Sequence, residues 1–129
     1  MDWIYNDGGR SKYFKGQAKD CVIRAIAIAT QRDYKAAYNE AKGVLGYTPR
    51  NGVQNAHVRR LLAHFGGVWH PTMKIGTGCK VHLRKNELPA GRLVCNCSGH
   101  LVAVIDGVIN DTHDPSRGGN RCVYGYWVF

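Results

Sequence analysis

Cys21 and His100 are the residue types that nucleophilic catalysis uses, and each stands at the start of a distinct segment. Cys21 opens an apolar run from Asp20 to Thr30 (DCVIRAIAIAT), which predicts a buried helix. Asp20 is a good N-cap residue. The sulfur would therefore lie at the first turn, where backbone N–H groups and the helix dipole favour the thiolate. A buried structural cysteine is the alternative that this segment alone leaves open.

His100 opens the first of two strand-like runs joined by Asp106-Gly107. Asp-Gly between two such runs is the strongest short-range signal for a β-hairpin. A two-residue turn would make His100 and Asp111 diagonal neighbours on one face, roughly 7–8 Å apart at the backbone, and turn Asn110 to the other face. Asp111, not Asn110, is therefore the better candidate to orient His100, and a bulge in the hairpin would reverse that choice. The predicted pairs are Ile105 with Val108, Val104 with Ile109, and Val102 with Asp111.

A histidine held by an acid is the second half of a nucleophilic triad, and a cysteine at a helix start supplies the first half. The imidazole takes the thiol proton, and the carboxylate fixes the tautomer of the ring and stabilises the imidazolium. Each residue also has a structural interpretation: Cys21 in the core, His100 at a strand end, and Asp111 capping the turn before Asp114-Pro115. His113 shares the predicted face and is a rival base.

The order Cys, His, Asp and this topology resemble the papain-like cysteine peptidases, most closely their small bacteriocin-processing-like and phage-encoded members. Asp20-Cys21, Gly99-His100 and Asp111 carry the resemblance. It implies that Cys21 is the nucleophile, His100 the general base and then the acid, and Asp111 the residue that orients the ring. It also implies a papain-like fold and a phage origin.

The resemblance further implies an oxyanion hole. Gln17 matches the glutamine that, in this superfamily, stabilises the tetrahedral intermediate together with the backbone N–H of the nucleophile. Such a donor often contributes ~3–4 kcal/mol. The expected activity is hydrolysis of a peptide, amide or isopeptide bond through an acyl-enzyme, with a peptide or protein substrate and no cofactor. The same three residues also serve transglutaminases, deamidases and acyltransferases, and the sequence does not separate these activities.

The charge of the chain supports rival hypotheses. Eighteen Lys and Arg against nine Asp and Glu give a formal charge of +9, which suits a polyanionic partner or an acidic protein substrate. The basic residues are scattered, however, and solubility alone would explain them. A second hypothesis is an inactive papain-like module that binds nucleic acid or an acidic protein. A third is metal binding through the histidines, although His57 and His64, on one side of a predicted helix, have no evident third ligand.

Helical segments come first in the sequence and strand-like segments follow. This order predicts one α+β domain over 1–129, with N-terminal helices packed on a C-terminal antiparallel sheet that together position these residues. Residues 1–19 are expected to form an ordered arm. Asp33 is the N-cap of a second helix, Tyr34 to Lys42, which Gly43 ends. A third helix carries an apolar stripe and stops at Gly66-Gly67. Strands are predicted at 68–70, 80–83, 92–97, 99–105, 108–111 and 121–129.

The five cysteines are odd in number and show no disulfide framework, which predicts thiols in a reducing compartment. Cys95 and Cys97 would share one strand face and belong to the core. No Cys-x-x-Cys pair supports a zinc ribbon. No apolar run reaches the ~20 residues of a membrane span, and the N-terminus lacks a signal-peptide pattern. We therefore expect a cytoplasmic protein, in the host cytoplasm if it is phage-encoded.

Overall fold

The computed structural model describes residues 1–16 and 18–129. Three α-helices and six strands lie within these residues and establish the α+β class. The helices are α1 (Cys21–Thr30), α2 (Tyr34–Leu45) and α3 (Asn55–His64). The strands are β1 (Asp2–Tyr5), β2 (Val68–Pro71), β3 (Arg92–Cys97), β4 (His100–Ile105), β5 (Val108–Asp111) and β6 (Gly125–Val128).

The sheet has the strand order β1-β5-β4-β3-β6-β2. The N-terminal arm supplies β1, which pairs in parallel with β5, whereas every other pairing is antiparallel. The prediction of a purely antiparallel sheet is therefore wrong at this edge. All four residues of β1 are exposed, so the strand lacks the apolar alternation that would identify it in the sequence.

The β4–β5 hairpin has the predicted register. Ile105 pairs with Val108 and Val104 with Ile109, across the turn at Asp106-Gly107. The described ladder then ends at Ala103 and Asn110, one step before the predicted pair of Val102 and Asp111. No bulge intervenes between the turn and this point, so the alternation that separates Asn110 from Asp111 is preserved.

The sheet separates two apolar clusters. One face packs against α1, whose Ile23 and Ile26 are fully buried. The sheet residues of this cluster are Val94, Leu101, Ala103 and Trp127. The other face carries Leu93, Cys95, Cys97, Val102, Val104 and Ile109, with Leu83 and Val123. Because each large buried apolar side chain contributes ~1.5–3 kcal/mol, this packing fixes α1, and with it Cys21, over β4.

The second helix is longer than its sequence predicts. It continues through Gly43 to Leu45, and Gly46, at φ 79°, forms the left-handed C-cap. Leu45 is only 8% exposed, and its burial contributes more than the ~1 kcal/mol that a glycine costs inside a helix. The prediction that Gly43 ends the helix is therefore wrong. Asp33 is the N-cap as predicted, and its side chain accepts a hydrogen bond from Ala36 N.

The long connection between β2 and β3 is held by a disulfide between Cys79 and Cys122. The prediction of five thiols is thus wrong for these two residues, whose 43-residue separation hides the pairing from the sequence. The predicted strand at 80–83 is also wrong, since only an isolated bridge between His82 and Cys122 forms there. The final strand is confined to β6. No helix of the described residues has the length and apolar character to cross a membrane.

Candidate active site

Cys21 is the first residue of α1, and the N-cap position falls on Asp20 as predicted. The Asp20 side chain does not cap the helix. Its buried carboxylate instead forms ion pairs with Arg24 and with Arg10, whose Nε lies 3.2 Å away, and accepts a hydrogen bond from the Tyr34 hydroxyl. The first N–H groups of a helix have no intrahelical acceptor. The side chain of Asp20 accepts from none of them.

His100 and Asp111 form the second half of the site. The Nε2 atom of His100 lies 2.6 Å from Oδ2 of Asp111, and both side chains are largely buried. The other carboxylate oxygen of Asp111 accepts a hydrogen bond from Thr112 N at 2.7 Å and lies 3.6 Å from Nη2 of Arg24. Asp111 is thus fixed through both oxygens, and Nδ1 is the ring nitrogen of His100 that remains for the Cys21 sulfur.

The thiol interacts with the start of β4. Burial raises the pKa of Cys21, but hydrogen bonding to the His100 ring and the Leu101 backbone, together with the charges of His100 and Arg24, brings that pKa below its usual value. Burial lowers the pKa of His100, but Asp111 and Cys21 outweigh it and raise that pKa to about 9. These opposite shifts favour a thiolate beside an imidazolium at neutral pH.

Asp111 stays ionised in this setting. Burial raises the pKa of its carboxyl group, whereas the hydrogen bond and the charge of His100 lower it, and the net pKa lies below the usual value. A carboxylate is therefore present to stabilise the imidazolium form of His100.

Cys95 and Cys97 differ sharply from Cys21. Both are free and buried, as predicted. Burial raises the pKa of Cys95 well above its usual value and that of Cys97 to about 11. Of the free cysteines in the described residues, only Cys21 has a lowered pKa.

The rival residues occupy other positions. His113 is exposed, with its ring 5.2 Å from that of His100 between centroids. Asn110 has other partners: its Oδ1 accepts a hydrogen bond from Asn6 and its Nδ2 donates one to Val108 O. Gln17 lies outside the described residues, so its role in an oxyanion hole stays a prediction. The helix pair His57 and His64 has separate partners, with His57 Nδ1 2.8 Å from the hydroxyl of Tyr47 and His64 Nε2 3.7 Å from Glu40.

One group of side chains could hold a metal ion. His100, Asp111 and His113 each offer a ligand atom, and these atoms lie within 4.8 Å of one another. The hydrogen bond between His100 and Asp111 already uses a ligand atom of each. Metal binding through these same two atoms would replace the contact that orients the imidazole.

Cys21 and His100 both line a cleft of about 540 Å³. A second cavity, of about 710 Å³, is lined by Arg10, Asp20, Arg24 and His113 among others. The sequence analysis missed Arg24. Its spacing of four residues from Asp20 is the signal that could have found the first of its two contacts.

No protein-family model, curated protein or solved structure matches the chain. The site is therefore defined by its own chemistry: a thiol of lowered pKa at a helix start, an imidazole of raised pKa, and a buried carboxylate bonded to that imidazole.

Proposed function

We propose that this chain is a papain-like thiol hydrolase that cleaves a peptide or amide bond through an acyl-enzyme. One arrangement carries the proposal: Cys21, at the start of α1, lines the same cleft as His100, whose ring is bonded to Asp111. The position of the nucleophile at the start of a helix packed on the sheet supports the papain-like assignment of the fold.

In the first step, the Cys21 thiolate attacks the carbonyl carbon of the substrate. A sulfur–carbon bond forms, and the carbonyl π electrons move to oxygen. The N–H groups that begin α1 donate to this oxyanion, with Gln17 as the expected second donor. The absence of a cap from the Asp20 side chain supports this assignment, because that carboxylate does not compete for these N–H groups.

The imidazolium of His100 then gives its proton to the amine nitrogen as the carbon–nitrogen bond breaks. The amine leaves, and the substrate carbonyl stays on Cys21 as a thioester. Neutral His100 next removes a proton from water, whose oxygen attacks the thioester. Collapse of this second intermediate releases the carboxylic acid and restores the thiolate and the imidazolium. Asp111 keeps the ring oriented throughout.

Alkylation of Cys21 by iodoacetamide tests the first half of the proposal. We expect rapid labelling well below pH 8 and its loss in His100→Ala, because the thiolate would then lose its imidazolium partner. Trypsin isolates Cys21 in the peptide Asp20–Arg24, separate from the buried Cys95 and Cys97, which serve as internal controls. Slow labelling of Cys21, or labelling at the same rate in His100→Ala, would contradict the proposal that His100 activates the thiol.

Turnover of an activated aryl ester tests the second half. We expect p-nitrophenyl acetate to acetylate Cys21 and the acetyl group then to be released, in the wild type but not in Cys21→Ser. In His100→Ala any acetyl-enzyme should persist, because no base activates water. Rapid alkylation without release of the acetyl group in the wild type would assign the site to acyl transfer rather than hydrolysis.

A further inference from the structure

The cleft beside the thiol is positively charged. Besides His100, the charged side chains among its described lining residues are Lys19 and Arg59, and no acidic side chain is among them. Lys19 stands just before α1, and Arg59 lies on α3. A substrate that enters this cleft therefore meets cations from two separate elements beside the reacting sulfur.

Neither cation forms an ion pair within the described residues. No carboxylate lies within 4.0 Å of Lys19 or Arg59 in the part of the chain that the structure describes. The guanidinium carbon of Arg59 instead lies 4.8 Å from the ring centroid of Trp69. A cation–π contact of this kind limits the motion of the side chain while leaving its N–H donors free.

The remaining lining residues suit a peptide. Val58, Leu101 and Trp127 give the cleft an apolar, buried part, and side-chain amides supply hydrogen-bond donors and acceptors at its polar part. These amides belong to Asn51, Asn55 and Asn96. The cleft thus offers a peptide both apolar contact and hydrogen bonds to its backbone.

We propose that the substrate is an acidic peptide segment, with Asp or Glu side chains beside the scissile bond that contact Arg59 and Lys19. The inference rests on the proposed function of Cys21 and names its substrate class. The net charge of +9 acts in the same direction, since it raises the encounter rate with acidic partners at low ionic strength.

The test compares two reagents of similar size at Cys21, the anion iodoacetate and neutral iodoacetamide. The ratio of their rate constants reports the charge of the cleft without any knowledge of the substrate. We expect Arg59→Glu to lower this ratio roughly 1.5- to fivefold, the range of an exposed charge contact. Arg60→Glu is the matched control, because Arg60 is also exposed on α3, changes the net charge equally and does not line the cleft.

Equal falls of the ratio in Arg59→Glu and Arg60→Glu, or no fall in either, would overturn the proposal. Failure of this proposal is distinguishable from failure of the proposed function, since alkylation by iodoacetamide would still depend on His100.

Fluorogenic peptide pairs that differ only by Glu against Gln provide the second measurement. The wild type should favour Glu in kcat/KM, and Arg59→Glu should remove that preference while Arg60→Glu retains it. Binding of DNA that falls steeply with salt and is retained in both Cys21→Ser and Arg59→Glu would instead indicate a nucleic-acid-binding module.

Discussion

Arg24 links the helix that carries the thiol to the carboxylate that orients the imidazole. Its Nη2 lies 3.6 Å from Oδ1 of Asp111, and its Nη1 forms an ion pair with Asp20. Asp20 and Asp111 are buried, and the Arg24 side chain is only 11% exposed. Arg24 therefore helps to hold the helix that begins at Cys21 against the strand that ends at Asp111.

Replacement of Arg24 by Met should lower both stability and thiol reactivity. Removal of one partner from a buried ion pair typically costs ~3–5 kcal/mol, and we expect the lower end, because Asp20 keeps Arg10. The pKa of Cys21 should rise, since the charge of Arg24 helps to lower it. Urea unfolding and the pH dependence of Cys21 alkylation measure the two effects.

Arg32→Met is the control for this prediction. Arg32 pairs with Glu40, but both side chains are more than two-fifths exposed, so its loss should cost less than ~1 kcal/mol and leave alkylation of Cys21 unchanged. Similar losses of stability in the two variants would contradict a buried role for Arg24.

Hydrolysis should depend on pH as a bell, because it needs both the thiolate and the imidazolium. The acid limb follows the lowered pKa of Cys21, and the alkaline limb follows the raised pKa of His100, about 9. Both limbs belong to the coupled pair of Cys21 and His100.

The stability of the fold should also depend on pH. Because the pKa of His100 is raised on folding, its interaction with Asp111 stabilises the fold fully below the usual histidine pKa of 6.5, and this stabilisation is lost as pH rises through about 9.

Asp111→Asn identifies the alkaline limb. Loss of the carboxylate charge should move this limb of kcat/KM to lower pH by roughly one to two units, while the amide retains much of the side-chain shape. Alkylation needs no proton donor and should show no alkaline limb in either protein. An alkaline limb at the same pH in Asp111→Asn would mean that another group sets it.

Gly43 and Gly46 give a matched pair on one helix. Gly43 lies inside α2 and Gly46 caps it at φ 79°, and an added Cβ meets nothing within 4 Å at either position. Gly43→Ala should raise the free energy of unfolding by ~0.5–1 kcal/mol. Gly46→Ala should lower it by ~1 kcal/mol, because alanine is strained in the left-handed region. Urea unfolding distinguishes the two, and destabilisation by Gly43→Ala would contradict the extended helix.

Local patterns in the sequence predict the parts of the site that neighbouring residues determine. The Asp106-Gly107 turn fixes the hairpin register, and side-chain alternation then separates Asp111 from Asn110. The parallel pairing of β1 has no such local signal, since its side chains are exposed on both faces. The contact of Arg24 with Asp111 likewise requires the docking of α1 on the sheet, which periodicity alone does not specify.

The disulfide between Cys79 and Cys122 and the thiol of Cys21 require opposite oxidation states of sulfur. Cys79 is exposed, and its bond anchors the connection formed by residues 72–91. Cys21, in contrast, reacts only as a free thiol. Peroxides oxidise a low-pKa thiolate to sulfenic acid, and a strong dithiol reductant opens an accessible disulfide. The bond and the free thiol of Cys21 therefore coexist only in surroundings that keep Cys79 and Cys122 oxidised and leave Cys21 reduced.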